Sequence, residues 1–167
     1  MELRAARLED LPAIIDIYNS TIPGRRVTAD TDAVRPEEKL SWFHQHHEKR
    51  PLWVGEANSK IISWVSLQDF YDRPAYHGIA EISIYLHEDY RGKGLGKILL
   101  EESISRSKAL GLHSLVGFIF EHNLPSIALF KKAGFVSWGL LPEIAMMDGK
   151  AYSLEILGLK LPPNVKD

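Results

Sequence analysis

Apolar residues in the first third of the chain are spaced as in one strand and two helices. Residues 2–7, ELRAAR, are predicted as a strand, and Asp10 is a favoured residue for capping the helix that follows. A second helix is predicted from near Pro36. Its apolar side is formed by Leu40, Phe43 and His47. The polar connection between the two helices is long enough to be a binding loop.

The middle of the chain shows a β pattern followed by a helical one. The segments PLWVGEA and KIISWVSLQDF flank the polar pair Asn58-Ser59, which predicts a hairpin. AEISIYL, residues 80–86, is a further predicted strand. After a glycine-rich turn, apolar residues recur at helical spacing as far as Leu110, and Gly111 can supply the left-handed residue that ends a helix.

The last third predicts a strand, a short helix and more strands. HSLVGFIF is followed by the helix PSIALFKKAG, which stops at Gly134, and by the strand FVSWG. Asp148-Gly149 between two apolar runs is a strong two-residue hairpin signal. The element order β-α-α-β-β-β-α-β-α-β-β predicts an α/β fold with a mixed sheet and helices packed against it.

Composition narrows the class of protein. A chain of 167 residues with 45% hydrophobic and 25% charged residues fits one domain over residues 1–167. No apolar run approaches the roughly 18 residues of a membrane helix and the start is charged, so a cytoplasmic protein without membrane contact is expected. A net charge of −2 argues against nucleic-acid binding. Without cysteine, any thiol chemistry must arrive on a cofactor.

The turn RGKGLG, residues 91–96, places three glycines on alternate positions ahead of a helix. Such a turn can point backbone N–H groups at an anion near the positive end of the helix. A phosphate loop would need Ser or Thr at Ile98 and Gly at Arg91, and a dinucleotide fingerprint would need Gly at Lys97. Both motifs fail, which leaves another anion or simply tight strand-to-helix packing.

The pattern R-x-x-G-x-G between a strand and a helix resembles the acetyl-CoA loop of the GNAT superfamily of N-acetyltransferases. Downstream, EHNLPSIALFKKAGF is similar to the second half of the same family, and two motifs in order are more specific than one. The resemblance covers nearly the whole chain and is closest to phosphinothricin and methionine-sulfoximine N-acetyltransferases. The segments that carry it are IYNSTI, VTADTDAVRPEEKLSWF, RPAY, AEISIYLHEDYRGKGLG and NLPSIALF.

This resemblance implies a mixed sheet with a splayed strand pair, acetyl-CoA held in the splay, and often a homodimer. It also implies a set of cofactor-binding positions at the end of one strand, in the glycine turn and on a later helix. These are Leu86, His87, Glu88, Arg91, Gly92, Lys93, Gly94, Leu95, Gly96, Lys97, Asn123, Ser126 and Phe130.

Acetyl transfer to an amine needs a neutral nucleophile, whereas a lysine-like amine titrates at about 10.4 and an α-amine at about 8. A general base is therefore useful, and Glu81 is the candidate. The opposite face of its strand carries Ile82 and Ile84, and burial in such a setting raises a carboxyl pKa. Alternation alone leaves a solvated edge-strand Glu open; the resemblance implies a general base here.

The departing thiolate raises the question of an acid. The resemblance implies a backbone N–H near Leu86 for the developing negative charge, and many relatives place a Tyr after the N-x-x-S-x-x-L pattern. This chain has Phe130 there, which cannot donate a proton. Tyr85 shares a strand face with Glu81 and Ser83, so it is a candidate acid or a wall of the site. Solvent or the substrate's own ammonium are alternatives.

The loop RPAY precedes the catalytic strand, and Arg73 in it can hold a carboxylate or phosphinate in a bidentate way. A solvated surface Arg is the alternative. The predicted substrate-binding residues are Thr28, Arg73, Pro74, Ala75, Tyr76, Ser83 and Ile84.

The predicted acceptor is therefore a small amino acid or an analogue such as phosphinothricin or methionine sulfoximine. A protein N-terminus or lysine as the acceptor is a second hypothesis, and a CoA-binding sensor without turnover is a third. Because Glu81 is present, the sensor is the weaker of these, since a degenerate site would be free to lose it.

The run WFHQHHEK resembles a metal-binding site, with His44 one helical turn from His47 and Glu48. No further ligand stands at a recognisable spacing, so a solvated or packed helix face is predicted and no metal is expected.

Overall fold

The computed structural model describes residues 1–163, so the last four residues of the predicted domain 1–167 lie outside the described part. Seven strands form one sheet in residues 1–163. They are β1 (Glu2–Ala5), β2 (Leu52–Ala57), β3 (Lys60–Asp69), β4 (Ile79–Leu86), β5 (Ser114–Phe120), β6 (Val136–Met147) and β7 (Lys150–Lys160). The α-helices over the same residues are α1 (Leu11–Ser20), α2 (Leu40–His44), α3 (Leu95–Ala109) and α4 (Leu124–Lys132). None of these helices is long and apolar enough to cross a bilayer.

The sheet has the strand order β1-β2-β3-β4-β5-β7-β6. Its neighbouring strands are antiparallel except β4 and β5, which are parallel and joined through the crossover helix α3. The predicted α/β class with a mixed sheet and flanking helices is confirmed.

The pairing of β4 with β5 is short. It runs only from Ile79 opposite Ser114 to Glu81 opposite Val116. Beyond this point β4 stays paired with β3 as far as Leu86, and β5 stays paired with β7 as far as Phe120. Each strand keeps its outer partner while the two separate, so the sheet opens a gap in its middle, which is the splayed pair that the resemblance implies.

Hydrophobic clusters cover the two faces of the sheet. The larger packs Val65, Leu67 and Ile82 against α3 and α4, and the smaller packs Trp64 and Tyr85 against α1 and α2. Because side chains alternate along a strand, Glu81 and Ser83 lie on the face that carries Tyr85.

The predicted capping role of Asp10 is wrong for α1. Asp10 does precede the helix, but its carboxylate does not accept from an N–H of α1. It accepts instead from the backbone N–H of Arg7 at 2.7 Å and from Nη1 and Nη2 of Arg4 at 2.8 and 3.0 Å. The cause is the cation on β1: a buried carboxylate gains more from a bidentate guanidinium than from the helix end.

The second helix is shorter than predicted. Residues 36–39 form a 3₁₀ turn and α2 ends at His44, so the placement of His47 on its apolar side is wrong. The His46 ring lies with Nδ1 2.9 Å from the Trp42 carbonyl oxygen, which satisfies a carbonyl at the helix end. His44 is therefore not one helical turn from His47. No group of His, Asp and Glu side chains within residues 1–163 is arranged to hold a metal ion.

The predicted turns are confirmed by their backbone angles. Asn58 and Ser59 have φ of 51° and 61°, and Asp148 and Gly149 have φ of 52° and 75°, as the two-residue hairpin turn requires. The segment FVSWG is not separate from the last hairpin. Its residues from Val136 onward are the start of β6, the first strand of that hairpin, which runs on through register shifts between Ser137 and Gly139 and between Leu141 and Ala145.

Replacing Asp10 by Asn should lower the free energy of unfolding by about 1–3 kcal/mol, because Arg4 loses a carboxylate partner in a buried site. The bond with Arg4 holds the pKa of Asp10 below its ordinary value. The stabilisation is thus present above the ordinary carboxyl pKa and is lost as the pH falls through the lower pKa of the folded state. Urea unfolding at several pH values measures this.

The control is Glu9→Gln. Glu9 and Arg7 lie 3.5 Å apart and are both exposed, and an exposed ion pair of this kind contributes little to stability. An Asp10→Asn protein as stable as the Glu9→Gln protein at neutral pH would contradict the role given to Asp10.

Candidate active site

The gap between β4 and β5 contains a cavity of about 60 Å³. Its walls come from β4, from β5, from α4 and from the loop after α1. The lining residues are Val27, Ile82, Ser83, Ile84, Tyr85, Phe118, Ile119, Asn123, Ser126 and Phe130. The structure thus brings together six of the predicted site residues that are far apart in sequence, namely Ser83, Ile84, Tyr85, Asn123, Ser126 and Phe130.

A second cavity of about 160 Å³ adjoins the first. It lies on the α1 and α2 side of the sheet and is lined by Ile15, Tyr18, Lys39, Trp42, Trp64, Ser66, Gln68, Ser83 and Tyr85. Ser83 and Tyr85 line both cavities, so the two meet at β4. We call the first the gap cavity and the second the side cavity.

Glu81 is the residue at which the gap opens, because it is the last residue of β4 that is paired with β5. Its antiparallel neighbour on β3 is Gln68, which lines the side cavity. The carboxylate is half-buried, and this burial raises its pKa above the ordinary value of about 4.5. A carboxyl group shifted in this direction is better suited to accept a proton near neutral pH.

Tyr85 is held by a stack of aromatic rings. Its ring lies 4.2 Å from that of Trp64 with an interplanar angle of 9°, and Tyr18 lies 5.4 Å away. Burial raises the pKa of the Tyr85 phenol well above its ordinary value, and the nearby Tyr18 and Asp30 act in the same direction. Tyr85 is therefore a neutral and weak acid.

The hydroxyl of Thr28 lies 2.6 Å from the phenol oxygen of Tyr18, which also hydrogen-bonds Asp30. Burial raises the pKa of Tyr18 to about 12. These bonds attach the loop after α1 to α1 itself. The Thr28 side chain is buried and lines neither cavity.

Two of the three positions in the glycine turn need glycine for their backbone angles. Gly92 and Gly94 have φ of 72° and 78°, and an added Cβ at either would meet no atom within 4 Å. They are needed for the left-handed backbone, and the space beside them is open to a ligand. Gly96 lies within α3, where an added Cβ would stand 3.4 Å from the Leu129 side chain on α4. Turn geometry therefore explains Gly92 and Gly94, whereas the contact at Gly96 is close to an ordinary van der Waals distance and does not by itself require glycine.

The predicted residues around this turn are tied to the end of β4. The Arg91 Nε donates to the carbonyl oxygen of Leu86 at 3.1 Å. His87 accepts at Nδ1 from the backbone N–H of Asp89 at 3.2 Å, and Lys93 donates to the Asp89 carbonyl oxygen at 3.0 Å. These bonds hold the strand end and the turn in a fixed relation.

The remaining predicted positions at this turn are less constrained. Glu88 is exposed, and Leu95, the first residue of α3, is half-buried. Lys97 lies 3.8 Å from Glu101 and lines a groove between α3 and α4. Lys132 and Glu101 line the same groove, so two lysines and one carboxylate face it.

The α4 residues have clear local roles as well as a place at the gap. Asn123 caps α4, because its Oδ1 accepts from the Ser126 N–H at 3.4 Å. Phe130 is buried with its ring 4.8 Å from that of Phe135. An added Cβ at Gly117 would lie 3.0 Å from the Phe130 ring, so β5 and α4 are in close contact here.

The RPAY loop is placed differently from the other predicted residues. Arg73, Pro74, Ala75 and Tyr76 are all exposed, and they line neither cavity. Tyr76 packs near Phe70, whose ring centroid is 6.5 Å from that of Phe118 at the gap. The loop thus lies at the rim of the site.

Several residues of the side cavity were missed by the sequence analysis. The strand alternation of WVSLQ places Trp64, Ser66 and Gln68 on one face, which was the available signal. Lys39 brings a positive charge to this cavity, and no sequence pattern pointed to it. The Trp64 indole N–H is buried and has no hydrogen-bond partner among residues 1–163.

The family described as "Acetyltransferase (GNAT) family" matches residues 11–135. The chain belongs to this family, and it is an acyltransferase. Its GNAT identity agrees with the gap in the sheet and the glycine turn beside it.

Particular relatives cover almost the whole chain. It is 53% identical over 162 residues to "Putative phosphinothricin acetyltransferase YwnH" of Bacillus subtilis, covering 96% of this chain and 99% of that one. It is 31% identical to an L-methionine sulfoximine/L-methionine sulfone acetyltransferase of Pseudomonas paraeruginosa, covering 96% and 95%. A Sinorhizobium meliloti phosphinothricin acetyltransferase, solved in complex with acetyl-CoA, superimposes with a TM-score of 0.89 at 28% identity, covering 99% and 91%.

Proposed function

We propose that the chain transfers the acetyl group of acetyl-CoA to the amine of a small amino acid or amino-acid analogue of the phosphinothricin and methionine-sulfoximine type. The observation that carries the proposal is the meeting of two cavities at β4, with Glu81 where the gap opens. One cavity suits a thioester arm and the other suits a small acceptor. The names of the relatives, which concern those proteins, support the acceptor class.

Acetyl-CoA fits the residues that surround the gap. Beyond Glu81, the edge of β4 that faces β5 has no neighbouring strand. Its backbone groups there are available to the amides of an extended pantetheine arm. The open space beside Gly92 and Gly94, next to the start of α3, suits the pyrophosphate. Lys97 adds a positive charge there. The thioester carbonyl would then lie close to the backbone near Leu86.

The proposed chemistry is direct transfer. Glu81 accepts a proton from the amine, directly or through a water molecule, and the neutral nitrogen forms the new C–N bond as the C–S bond breaks. A backbone N–H near Leu86 stabilises the negative charge on the carbonyl oxygen. The new amide nitrogen loses its extra proton to solvent, the CoA thiolate takes a proton from solvent, and Glu81 then releases its proton to solvent for the next turnover.

Tyr85 is the other catalytic candidate, and we assign it to the wall between the cavities. Its raised pKa makes it a poorer acid than the thiol whose proton it would supply, which has an ordinary pKa of about 8.5. Phe130 cannot supply the proton either. The acid step is thus left to solvent or the substrate ammonium.

Transfer to a protein N-terminus or lysine is the alternative acceptor class. The side cavity has walls from α1, α2, β3 and β4, and its volume of about 160 Å³ favours a small molecule over a chain end. A CoA-binding sensor without turnover would have no use for the half-buried Glu81.

A thiol-release assay with acetyl-CoA against amino acids, phosphinothricin, methionine sulfoximine and a peptide amine tests the proposed function. Turnover is expected with the small acceptors and not with the peptide. If the protein binds CoA but releases no thiol with any of the small acceptors, the proposed function is wrong and the CoA-binding sensor is the remaining hypothesis.

Replacing Glu81 by Gln should lower kcat/KM by about 100-fold or more near neutral pH, because the proton acceptor is lost. The wild-type rate should fall as Glu81 becomes protonated, with a midpoint above its ordinary pKa, since burial raises it. The acceptor amine titrates in both proteins, so the difference between the two pH profiles isolates Glu81. Exposed Glu48→Gln is the control, and identical profiles for Glu81→Gln and wild type would remove Glu81 from the mechanism.

Two cationic residues are candidates for binding the acceptor carboxylate: Arg73 at the rim and Lys39 in the side cavity. We expect Arg73→Ala to raise KM for a carboxylate-bearing acceptor about tenfold more than KM for the matching simple amine. Lys39→Ala is run in parallel, with KM for acetyl-CoA as the reference. Equal effects of Arg73→Ala on both acceptors would refute its role, and selectivity lost only in Lys39→Ala would transfer the role to Lys39.

We also propose a homodimer. The edge strand β6 exposes five large apolar side chains: Val136, Trp138, Leu140, Ile144 and Met146, between 42% and 68% exposed. An apolar edge of this kind marks an association surface. Light scattering should give twice the chain mass of 18.9 kDa, and Met146→Glu should shift it to one chain, unlike Leu8→Glu elsewhere on the surface. A wild-type protein that stays a single chain at high concentration would contradict the dimer.

A further inference from the structure

The imidazole of His46 has a fixed hydrogen-bonding pattern. Its Nδ1 lies 2.9 Å from the carbonyl oxygen of Trp42 and 3.3 Å from that of Phe43. Carbonyl oxygens only accept hydrogen bonds, so Nδ1 carries a proton. Burial lowers the pKa of His46, which favours the neutral ring with a bare Nε2. Nε2 is then an acceptor.

This pattern decides the direction of the Ser66 hydroxyl. The Ser66 Oγ lies 2.7 Å from the His46 Nε2, so the hydroxyl donates its one proton to the imidazole. Ser66 also lines the side cavity. The Ser66 oxygen can therefore only accept a hydrogen bond from the cavity side. A ligand atom that hydrogen-bonds to it from the cavity must be a donor.

Ser66 differs in this respect from other buried serines of the chain. Ser103 and Ser107 each donate to a carbonyl oxygen of their own helix at 2.7 Å, and neither lines a cavity of the site. On β3, Ser66 is paired with Ser83 of β4, two residues from Glu81. Ser66 is therefore on the same face of the sheet as Glu81, whose neighbour on β3, Gln68, lines the same cavity as Ser66.

We infer that Ser66 recognises the acceptor amine by accepting a hydrogen bond from its N–H, with His46 as the positioning residue that keeps the Ser66 hydroxyl turned away from donating. This inference rests on the proposed function for the identity of the amine. It makes the side cavity selective for an amine over a ligand with only acceptor atoms at that position. Glu81 then removes a proton from a nitrogen that Ser66 has already located.

A binding titration separates this role from catalysis. The probes are L-methionine sulfone and its analogue lacking the α-amine, titrated into CoA-loaded protein and followed by the fluorescence of Trp42 and Trp64, which line the cavity. Ser66→Ala should weaken the amine ligand about tenfold and change the analogue less than twofold. His46→Phe, which keeps a ring against Trp42, should reduce the preference for the amine probe. Ser66→Thr, which keeps a hydroxyl, should retain part of the preference that Ser66→Ala loses.

The matched control is Ser63→Ala, since Ser63 is an equally buried serine on β3 that faces the other side of the sheet. It should bind both probes as the wild type does. Acetyl-CoA affinity and thermal unfolding of every variant show that the fold and the gap are intact.

The outcomes distinguish the two proposals. If Ser66→Ala binds both probes like the wild type, or weakens both equally, Ser66 has no amine-recognising role, whatever the transfer rates. If the wild type prefers the amine probe and loses this preference in Ser66→Ala, but transfers no acetyl group, the inference stands and the proposed function fails. A wild type that binds neither probe overturns both.

Discussion

The separation of β4 from β5 after Glu81 is the constraint on which the candidate site depends. The two strands are parallel neighbours for three residue pairs, and then each follows its outer partner, β3 or β7. Unpaired backbone inside a sheet is costly unless something else satisfies it. In the proposed function, the gap holds an extended ligand with its own amides, and the start of α3 beside it holds that ligand's phosphates.

The same separation gives the site its two sides. Residues of β4 alternate, so Ile84 faces the α3 and α4 core while Ser83 and Tyr85 face α1 and α2. The stack of Tyr85 on Trp64 fixes the wall between the gap cavity and the side cavity. Glu81 stands where the gap between β4 and β5 opens, and its burial raises its pKa. In the proposed function, one strand positions the cofactor on its edge and the acceptor on its face.

Local chemistry made much of this predictable from the sequence. Gly111 and Gly134 end helices with positive φ, and Asp148-Gly149 makes its hairpin, because each depends on a few neighbouring residues. The glycine turn and the strand before it were identified by their motif. The face of β4 that carries Glu81 followed from period-two alternation alone.

What the sequence did not reveal depends on contacts between distant segments. The point where β4 and β5 part is set by registers with two other strands. The side cavity exists because α1, α2, β3 and β4 meet, so Lys39 had no local signal, and alternation gave only the face of β3 on which Ser66 lies. Asp10 binds Arg4 on β1 instead of capping α1, and the His46 side chain contacts the end of α2. The exposed position of Arg73 likewise reflects the packing of its loop, which no motif encodes.

The most direct test of the central claim is a crystal structure with acetyl-CoA and an unreactive acceptor analogue bound. The account predicts the pantetheine arm between β4 and β5, the thioester carbonyl close to the backbone at Leu86, and the analogue in the side cavity beside Glu81. Acetyl-CoA bound elsewhere, or β4 and β5 paired beyond Glu81 with the gap closed, would contradict it.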